Sequence, residues 1–249
     1  MKGMRPFQRG FTVLELVMAM MVGLFILAAV ATAVVSGQRS SAGIDRKVAT
    51  SQDVRTALDL MAAEIRMASY NYLGSAAGNI WLNPNDCNTS ANQNYKGLQA
   101  VSGTNLVVEM DLDESGTCGN GDNEIVVFSY DQANFRITRD WVTCSAGRSV
   151  DGGLAGADYE RSRTILGPNT VDANARTVRV INGAVPVFRY YDGTGAAIDY
   201  AALPGVTQTI RRIEIVLLVE SQDVDPNTGL RKQIAYSTSV IPRNHGIQF

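Results

Sequence analysis

An uninterrupted apolar segment dominates the first part of the chain. From Phe11 to Val35 the sequence reads FTVLELVMAMMVGLFILAAVATAVV, and Glu15 is its single charged residue. At about 1.5 Å per residue, a helix of this length spans roughly 37 Å, which is enough to cross a hydrocarbon layer of about 30 Å. The pattern therefore predicts a helix at 11–35 that lies in a membrane or in an equally apolar environment.

The helical pattern continues past residue 35 with a different distribution of side chains. Apolar or small residues recur at steps of three and four, the spacing of one helix face. They are Ile44, Val48, Ser51, Val54, Leu58, Met61, Ile65 and Ala68. Charged residues, Glu64 among them, fall on the other faces, and no proline interrupts 11–70. We expect one helix of about sixty residues, ~90 Å long, whose amphipathic continuation at 36–72 packs on a globular head.

The residue composition changes after Tyr72. Residues 73–104 are rich in Gly, Asn and Ser and predict a long irregular segment, after which β-prone runs alternate with turn motifs. The strand candidates are Leu106–Asp111, Glu124–Tyr130, Phe135–Trp141, Thr177–Ile181, Val185–Tyr191, Arg211–Glu220 and Leu230–Ile241. The last two should form an antiparallel hairpin, because polar and apolar residues alternate from Ile234 to Val240. The predicted fold class is α+β: a long N-terminal helix packed on an antiparallel β-sheet head at 73–249.

The overall charge and the motif content exclude several function classes. The formal net charge is −2, and it becomes more negative if the basic residues Lys2, Arg5 and Arg9 are removed. A mildly acidic chain is not expected to bind nucleic acid through bulk charge. The sequence contains no P-loop, no dinucleotide fingerprint and no metal-hydrolase spacing, so we expect no enzymatic activity.

Two ordinary interpretations of the N-terminus must be weighed. A cleaved secretory signal has a shorter apolar core that ends at a small-residue site. An uncleaved single-pass anchor leaves Glu15 without a reason, since a carboxylate within hydrocarbon costs at least ~2.5 kcal/mol. The short basic flank Met1–Gly10 favours an N-terminus that stays in the cytoplasm while the rest of the chain is exported.

Residues 9–16, Arg-Gly-Phe-Thr-Val-Leu-Glu-Leu, resemble the cleavage motif of type IV prepilins. The resemblance implies that a prepilin peptidase removes the leader 1–10 by cutting between Gly10 and Phe11, and that the new Phe11 amine is N-methylated. It also implies that Glu15 pairs with the Phe11 ammonium of a neighbouring subunit and so sets the register of a filament. An acid in an apolar bundle needs such an opposite charge.

Shorter resemblances occur in the remainder of the chain. Residues 63–70, 188–193 and 241–244 are similar to segments of PilW-type minor pilins and of large pseudopilins of type II secretion. They imply a minor pilin that initiates or caps a pilus for adhesion, motility or DNA uptake, with other minor and major pilins as partners. The chain would lie in the inner membrane with a periplasmic head, then in the pilus at the cell surface. A type II secretion pseudopilin, a membrane-tethered periplasmic enzyme and a calcium-switched adhesin are the alternatives.

Three cysteines, Cys87, Cys118 and Cys144, are widely separated and do not have zinc-site spacing. If 124–130 and 135–141 form a hairpin, Cys118 and Cys144 lie at the same end of it. We therefore expect a Cys118–Cys144 disulfide, which could add roughly 3 kcal/mol of stability, and an unpaired or intermolecular Cys87. Three reduced cysteines are the alternative.

Residues 111–122 resemble a calcium-binding loop, with Asp111, Asp113, Ser115 and Asp122 as candidate ligands. Asp122 stands where such loops usually have a bidentate Glu, and a solvated acidic turn between strands is the alternative. The turn at 223–229 has a weaker calcium-like pattern. We expect no other cofactor.

The remaining conspicuous residues indicate structural roles. The single histidine, His245, lies four residues from the end of the sequence and is expected to be a solvated tail residue. Trp81 and Trp141 are expected to be packing residues.

Overall fold

The structure is a computed structural model of the 249-residue chain. It describes residues 10–72, 80–81, 96–99, 102–142, 163–168, 178–224 and 228–245. The described residues form one very long helix and two antiparallel sheets, so the predicted α+β class is confirmed. Cys87, Cys144 and nine of the ten predicted leader residues lie outside the described residues.

Helix α1 comprises Val13–Met67. Thr12 caps its amino end, and the backbone N–H of Ala68 bonds to the carbonyl oxygen of Ile65 at its carboxyl end. Ser69 then turns the chain away with a φ of 65°. The long N-terminal helix predicted over 11–72 is therefore present, but it begins two residues later and ends five residues earlier than predicted.

The head covers only the last part of α1. Five residues of the predicted apolar stripe are buried against it: Val54, Leu58, Met61, Ile65 and Ala68. Ile44 and Val48 are exposed, so the prediction that the stripe packs on the head from residue 44 is wrong. The amphipathic spacing begins about ten residues before the part of α1 that contacts the head. Helical periodicity shows which face of a helix is apolar, but it does not show how much of that face another element covers.

Glu64 also departs from expectation, because it is buried instead of lying on a solvent-facing side of the helix. Its side chain contacts Arg139 of the first sheet, with Arg139 Nε at 2.8 Å from Oε1 and 3.1 Å from Oε2. Arg139 Nη2 lies 2.7 Å from Glu64 Oε1 and also donates to Asn123 Oδ1 at 2.9 Å. A carboxylate can be buried here because the sheet supplies a hydrogen-bonded cation.

The first sheet contains five antiparallel strands in sequence order. They are β1 (Leu98–Gln99), β2 (Asn105–Glu109), β3 (Ile125–Asp131), β4 (Arg136–Val142) and β5 (Arg163–Leu166). Strands β3 and β4 form a regular hairpin in which Ile125 pairs with Val142 and Asp131 with Arg136. The predicted hairpin is thus confirmed, whereas β1 and β5 were not predicted.

The second sheet is built around one long strand, β8 (Arg212–Val224). The strand β9 (Arg231–Val240) pairs along one edge of β8, while β6 (Arg179–Val180) and β7 (Phe188–Tyr191) pair with different parts of the other edge. A short helix α2 (Leu203–Val206) and a 3₁₀ turn at Thr207–Thr209 connect β7 to β8.

The side chain of Asn182 fills the interval between β6 and β7 along this edge of β8. Its Oδ1 accepts the N–H of Leu218 at 2.9 Å, and its Nδ2 donates to the carbonyl of Val216 at 2.9 Å. These are bonds that a continuous strand would otherwise supply. Two short strands and one amide therefore complete the edge.

Both sheets and α1 share one hydrophobic core. Helix residues Met61 and Ile65 lie in the same cluster as Phe128 of the first sheet and Phe188 and Ile215 of the second. The prediction of a single sheet against the helix is therefore wrong. The pattern of strands along a chain does not reveal which strands hydrogen-bond to one another.

A second, smaller cluster lies on the opposite face of the first sheet. It includes Trp81, Val107, Cys118, Ile125 and Val142. Trp81 and Trp141 are both buried, which confirms the prediction that they are packing residues.

Candidate functional site

The predicted processing site lies at the exposed amino end of α1. Gly10 and Phe11 precede the helix, and the Phe11 side chain is 91% exposed. A Cβ atom added at Gly10 would have no described atom within 4 Å. An uncrowded bond that precedes the helix is sterically open to a peptidase. Cleavage there remains a prediction.

Glu15 is held at the helix start by a capping box. Its Oε2 accepts hydrogen bonds from the Thr12 backbone N–H at 3.1 Å and from the Thr12 hydroxyl at 3.2 Å. In return, the Glu15 N–H donates to Thr12 Oγ1 at 3.2 Å. This satisfies two helix-end groups and places a negative charge at the positive end of the helix dipole. Thr12 was missed in the sequence, although Thr-x-x-Glu before an apolar run is a known signal.

The first part of α1 exposes apolar side chains on every face. Large side chains such as Leu14, Phe25 and Leu27 are more than half exposed, and no described side chain from Val13 to Asp53 is buried. By length and composition, α1 can cross a membrane. An exposed apolar surface of this extent marks an interaction with lipid or with other proteins.

The predicted calcium loop contains a cluster of three carboxylates. Asp111, Asp113 and Glu124 have oxygens that all lie within 4.8 Å of one another, and among the described residues this group could hold one cation. Asp122 is exposed and does not belong to the group, so Glu124 occupies the place expected for it. Ser115 lies beside the cluster and donates its N–H to both Asp111 Oδ1 and Asp113 Oδ1 at 3.0 Å.

Backbone N–H groups already satisfy these carboxylates. Glu124 accepts from the N–H groups of Gly119 at 2.8 Å and Gly121 at 2.9 Å, and Asp111 accepts from Gly116 at 3.0 Å. Hydrogen bonds from Ser115 lower the pKa of Asp113 below its usual value. The donor set suits a hard cation, yet the loop is also organised by its own amides, and calcium binding stays a prediction.

Cys118 is buried at the edge of this loop. Its thiol lies 3.9 Å from the carbonyl oxygen of Met110 and 4.0 Å from that of Glu124. Burial raises the pKa of the thiol well above its usual range, so a free Cys118 is unreactive. It is a free cysteine in the structure, while Cys144 lies outside the described residues. A disulfide between Cys118 and Cys144 therefore remains a prediction.

The prediction that His245 is a solvated tail residue is wrong, because it is 1% exposed. Its Nε2 lies 2.6 Å from the carbonyl oxygen of Thr207, and its Nδ1 lies 2.8 Å from both Ser69 Oγ and the carbonyl oxygen of Lys96. The segment after β9 folds back on α1, where the Arg243 N–H donates to the Arg66 carbonyl at 3.2 Å. The position of His245 near the end of the sequence did not indicate that the segment after β9 packs against α1.

The chain matches no protein-family model and no curated protein. Among solved structures, a type IV-like pilin from Thermus thermophilus aligns with 79% of this chain and 97% of its own chain, at 11% sequence identity and a TM-score of 0.39. At this identity and score, the alignment assigns no role to any residue of this chain.

Proposed function

We propose that the chain is a minor type IV pilin, a structural subunit that helps to initiate or cap a pilus after cleavage between Gly10 and Phe11. The observation that carries the proposal is Glu15, the single charge in an apolar helical segment that lies exposed on all sides. A segment of this kind needs an apolar environment, and the acid within it needs a positive partner there.

The capping box gives Glu15 a role before assembly. In one isolated chain the carboxylate is bonded to Thr12 at the helix start. Cleavage before Phe11 would create a free amine within one helical turn of every Glu15. In a bundle of parallel helices shifted along their axes, the amine of one subunit would reach the carboxylate of another, and a low dielectric strengthens that attraction. Only one axial shift allows the pairing, so the pair sets the register.

The head would act through contacts with other minor and major pilins. We place the unassembled chain in the inner membrane with a periplasmic head and the assembled chain in the pilus. Prepilin peptidase would be its processing partner. A pseudopilin of a type II secretion system is the alternative use of the same helix, and loss of secretion without loss of pili in a deletion strain would favour it.

The test separates the charge of Glu15 from its capping role. Glu15→Gln retains a side chain that can complete a capping box but lacks the charge, whereas Thr12→Val weakens the cap and retains the charge. We expect both variants to lose residues 1–10 and to insert in the membrane. Glu15→Gln and Glu15→Val should fail to enter filaments, and Thr12→Val should enter them.

The measurements are intact mass of the chain isolated from cells and its amount in sheared filaments. Retention of Met1–Gly10 by the wild-type chain would contradict processing. Filaments that contain Glu15→Gln at the wild-type level would contradict charge pairing and leave processing untouched.

A further inference from the structure

Strand β9 lies at one side of the second sheet, and its outer edge is open. Among the described residues, β9 pairs with β8 alone, and no backbone group from Gln233 to Val240 bonds to any other element. A strand segment of this length extends about 26 Å. The strands at the other described edges, β1, β5, β6 and β7, contain only two to four residues each. The edge of β9 is therefore the longest described row of backbone groups that another strand could pair with.

The pairing of β8 shows which backbone groups of β9 face outward. The Val216 N–H donates to the Val187 carbonyl, on the side of β8 that carries β7. Successive residues of an antiparallel strand direct their N–H and C=O groups alternately to its two sides. Leu217 therefore faces β9, where it pairs with Tyr236. The β9 residues that alternate with Tyr236 direct both groups away from the sheet, and they are Gln233, Ala235, Ser237 and Ser239.

The side chains beside these open groups leave them accessible. All four residues are exposed, and three of them carry only the small side chain of Ala or Ser. Natural edge strands are usually protected by a charge, a proline or a bulge. Residues 233–240 contain no charge and no proline, and they pair with β8 in an unbroken register. Because Lys232 precedes this segment and Pro242 follows it, the open row is bounded at both ends and unprotected within, as in sheets that accept one more strand.

Exposed cations flank the open row. Arg231 and Lys232 lie at its start, Arg243 lies three residues past its end, and all three are exposed. The sequence contains no acid after β9 begins. The acids of the neighbouring strand β8 that share the outer face, Glu214 and Glu220, lie beside arginines of β7 and β6. The charge at both ends of the edge is therefore positive, and it complements a strand with acidic ends.

A second copy of the chain fits this edge poorly. Antiparallel pairing of two β9 strands about Tyr236 would place Arg231 of one copy opposite Ile241 of the other, two residues from Arg243, so like charges would meet at both ends. The two-fold axis of such a pairing is perpendicular to the sheet. It would reverse the direction of α1, which packs on one face of that sheet, whereas helices anchored in one membrane under the proposed function run in the same direction.

We propose that the open edge of β9 binds an extended, acidic segment of another protein, which adds a strand to the second sheet. The outward N–H and C=O groups of Ala235, Ser237 and Ser239 bond to the backbone of this segment and supply affinity. Arg231 and Lys232 at one end and Arg243 at the other attract its acidic ends and set its register. The docking edge does not depend on the proposed function, which enters only in the argument against a second copy.

Amide hydrogen exchange of the full chain in detergent micelles tests the edge. The probe is a synthetic peptide of alternating Thr and Val residues with two Asp residues at each end, and the control peptide has Lys in place of Asp. At a free concentration ten times its Kd, the acidic peptide should slow exchange of the Ala235, Ser237 and Ser239 amides about tenfold. The amides of the β3–β4 hairpin should not change, and the basic peptide should protect neither set.

Three variants separate the backbone from the charge. Ser237→Pro removes one outward N–H and retains every bond to β8, since proline is tolerated at such edge positions, and it should weaken binding of the acidic peptide about tenfold. Ser237→Thr retains the N–H and should bind as the wild type does. Lys232→Glu should weaken binding of the acidic peptide and strengthen binding of the basic one. This variant alters only an exposed side chain, so it tests the charge even if Ser237→Pro does not fold.

Three results would overturn the proposal. Absence of protection by the acidic peptide at millimolar concentration would show that the edge does not accept a strand. Equal protection by the two peptides, unchanged in Lys232→Glu, would refute selection of an acidic partner. A dimer seen by light scattering of the wild type alone, and lost in Ser237→Pro, would assign the edge to a second copy of the chain.

Discussion

The ion pair between Glu64 and Arg139 provides a quantitative test of how α1 is attached to the head. The two side chains are 11% and 14% exposed and are joined by contacts of 2.7 to 3.1 Å. Two unit charges 4 Å apart attract by about 4 kcal/mol at an effective dielectric constant of 20. Most of that attraction offsets the loss of hydration, so the pair as a whole adds little, but either charge left alone is costly.

We expect Arg139→Met to destabilise the head by about 3 kcal/mol, the low end for a buried pair, because water reaches a small part of both groups. Glu64→Met should cost about 2 kcal/mol, since Arg139 keeps its bond to Asn123 and its long side chain can shift toward water. The double variant should lie within about 1 kcal/mol of the wild type, far less than the sum of the single changes.

The assay is urea unfolding of the full chain in micelles, followed by the fluorescence of the buried residues Trp81 and Trp141. Arg136→Met is the matched control, because its pair with Asp131 is 21% and 26% exposed and such pairs contribute about 0.2–1 kcal/mol. If Arg139→Met costs no more than Arg136→Met, the pair is screened by solvent and the reasoning about burial is refuted.

Two further predictions concern the loops at the end of α1. Gly97 has a φ of 72°, and an added Cβ would lie 2.7 Å from the Glu109 carbonyl oxygen, so Gly97→Ala should lose more than the ~1–2 kcal/mol of left-handed strain alone. Gly195→Ala, with a φ of 88° and no described atom within 4 Å of the new Cβ, is the control for strain without a clash in the same unfolding assay. The calcium hypothesis predicts that calcium raises the melting temperature of the head and that EDTA reverses the rise. Asp113→Asn should abolish this response and Asp122→Asn should not, whereas an unchanged melting temperature in the wild type would exclude binding.

Local pattern was sufficient for the elements of the fold but not for their arrangement. The long helix and all seven predicted strands are present, because helical and strand periodicity are properties of neighbouring residues. The short strands β1 and β5, of two and four residues, were not predicted. The partition into two sheets depends on pairings such as Val180 with Val219, which no local pattern encodes.

The candidate sites also divide into features set by neighbouring residues, which the sequence can predict, and features set by residues distant in sequence, which it cannot. The capping pair Thr12–Glu15 is local and could have been found from four residues. Glu64 is buried because Arg139, 75 residues later, faces it, and His245 is buried because the chain returns to Ser69. In the acidic loop, the twelfth position counted from Asp111 is Asp122, which was therefore predicted as a calcium ligand. The carboxylate that turns inward is Glu124, just before β3, where the amides of Gly119 and Gly121 bond to it.

The restriction of the helix–head contact to residues after Asp53 has an energetic consequence. The 41 residues from Val13 to Asp53 form a rod ~60 Å long that makes no contribution to the buried core among the described residues. Transfer of this rod between environments and unfolding of the head are therefore separate equilibria. Substitutions in the rod therefore change how strongly it binds an apolar environment, and substitutions after it change the stability of the head, with neither change constraining the other.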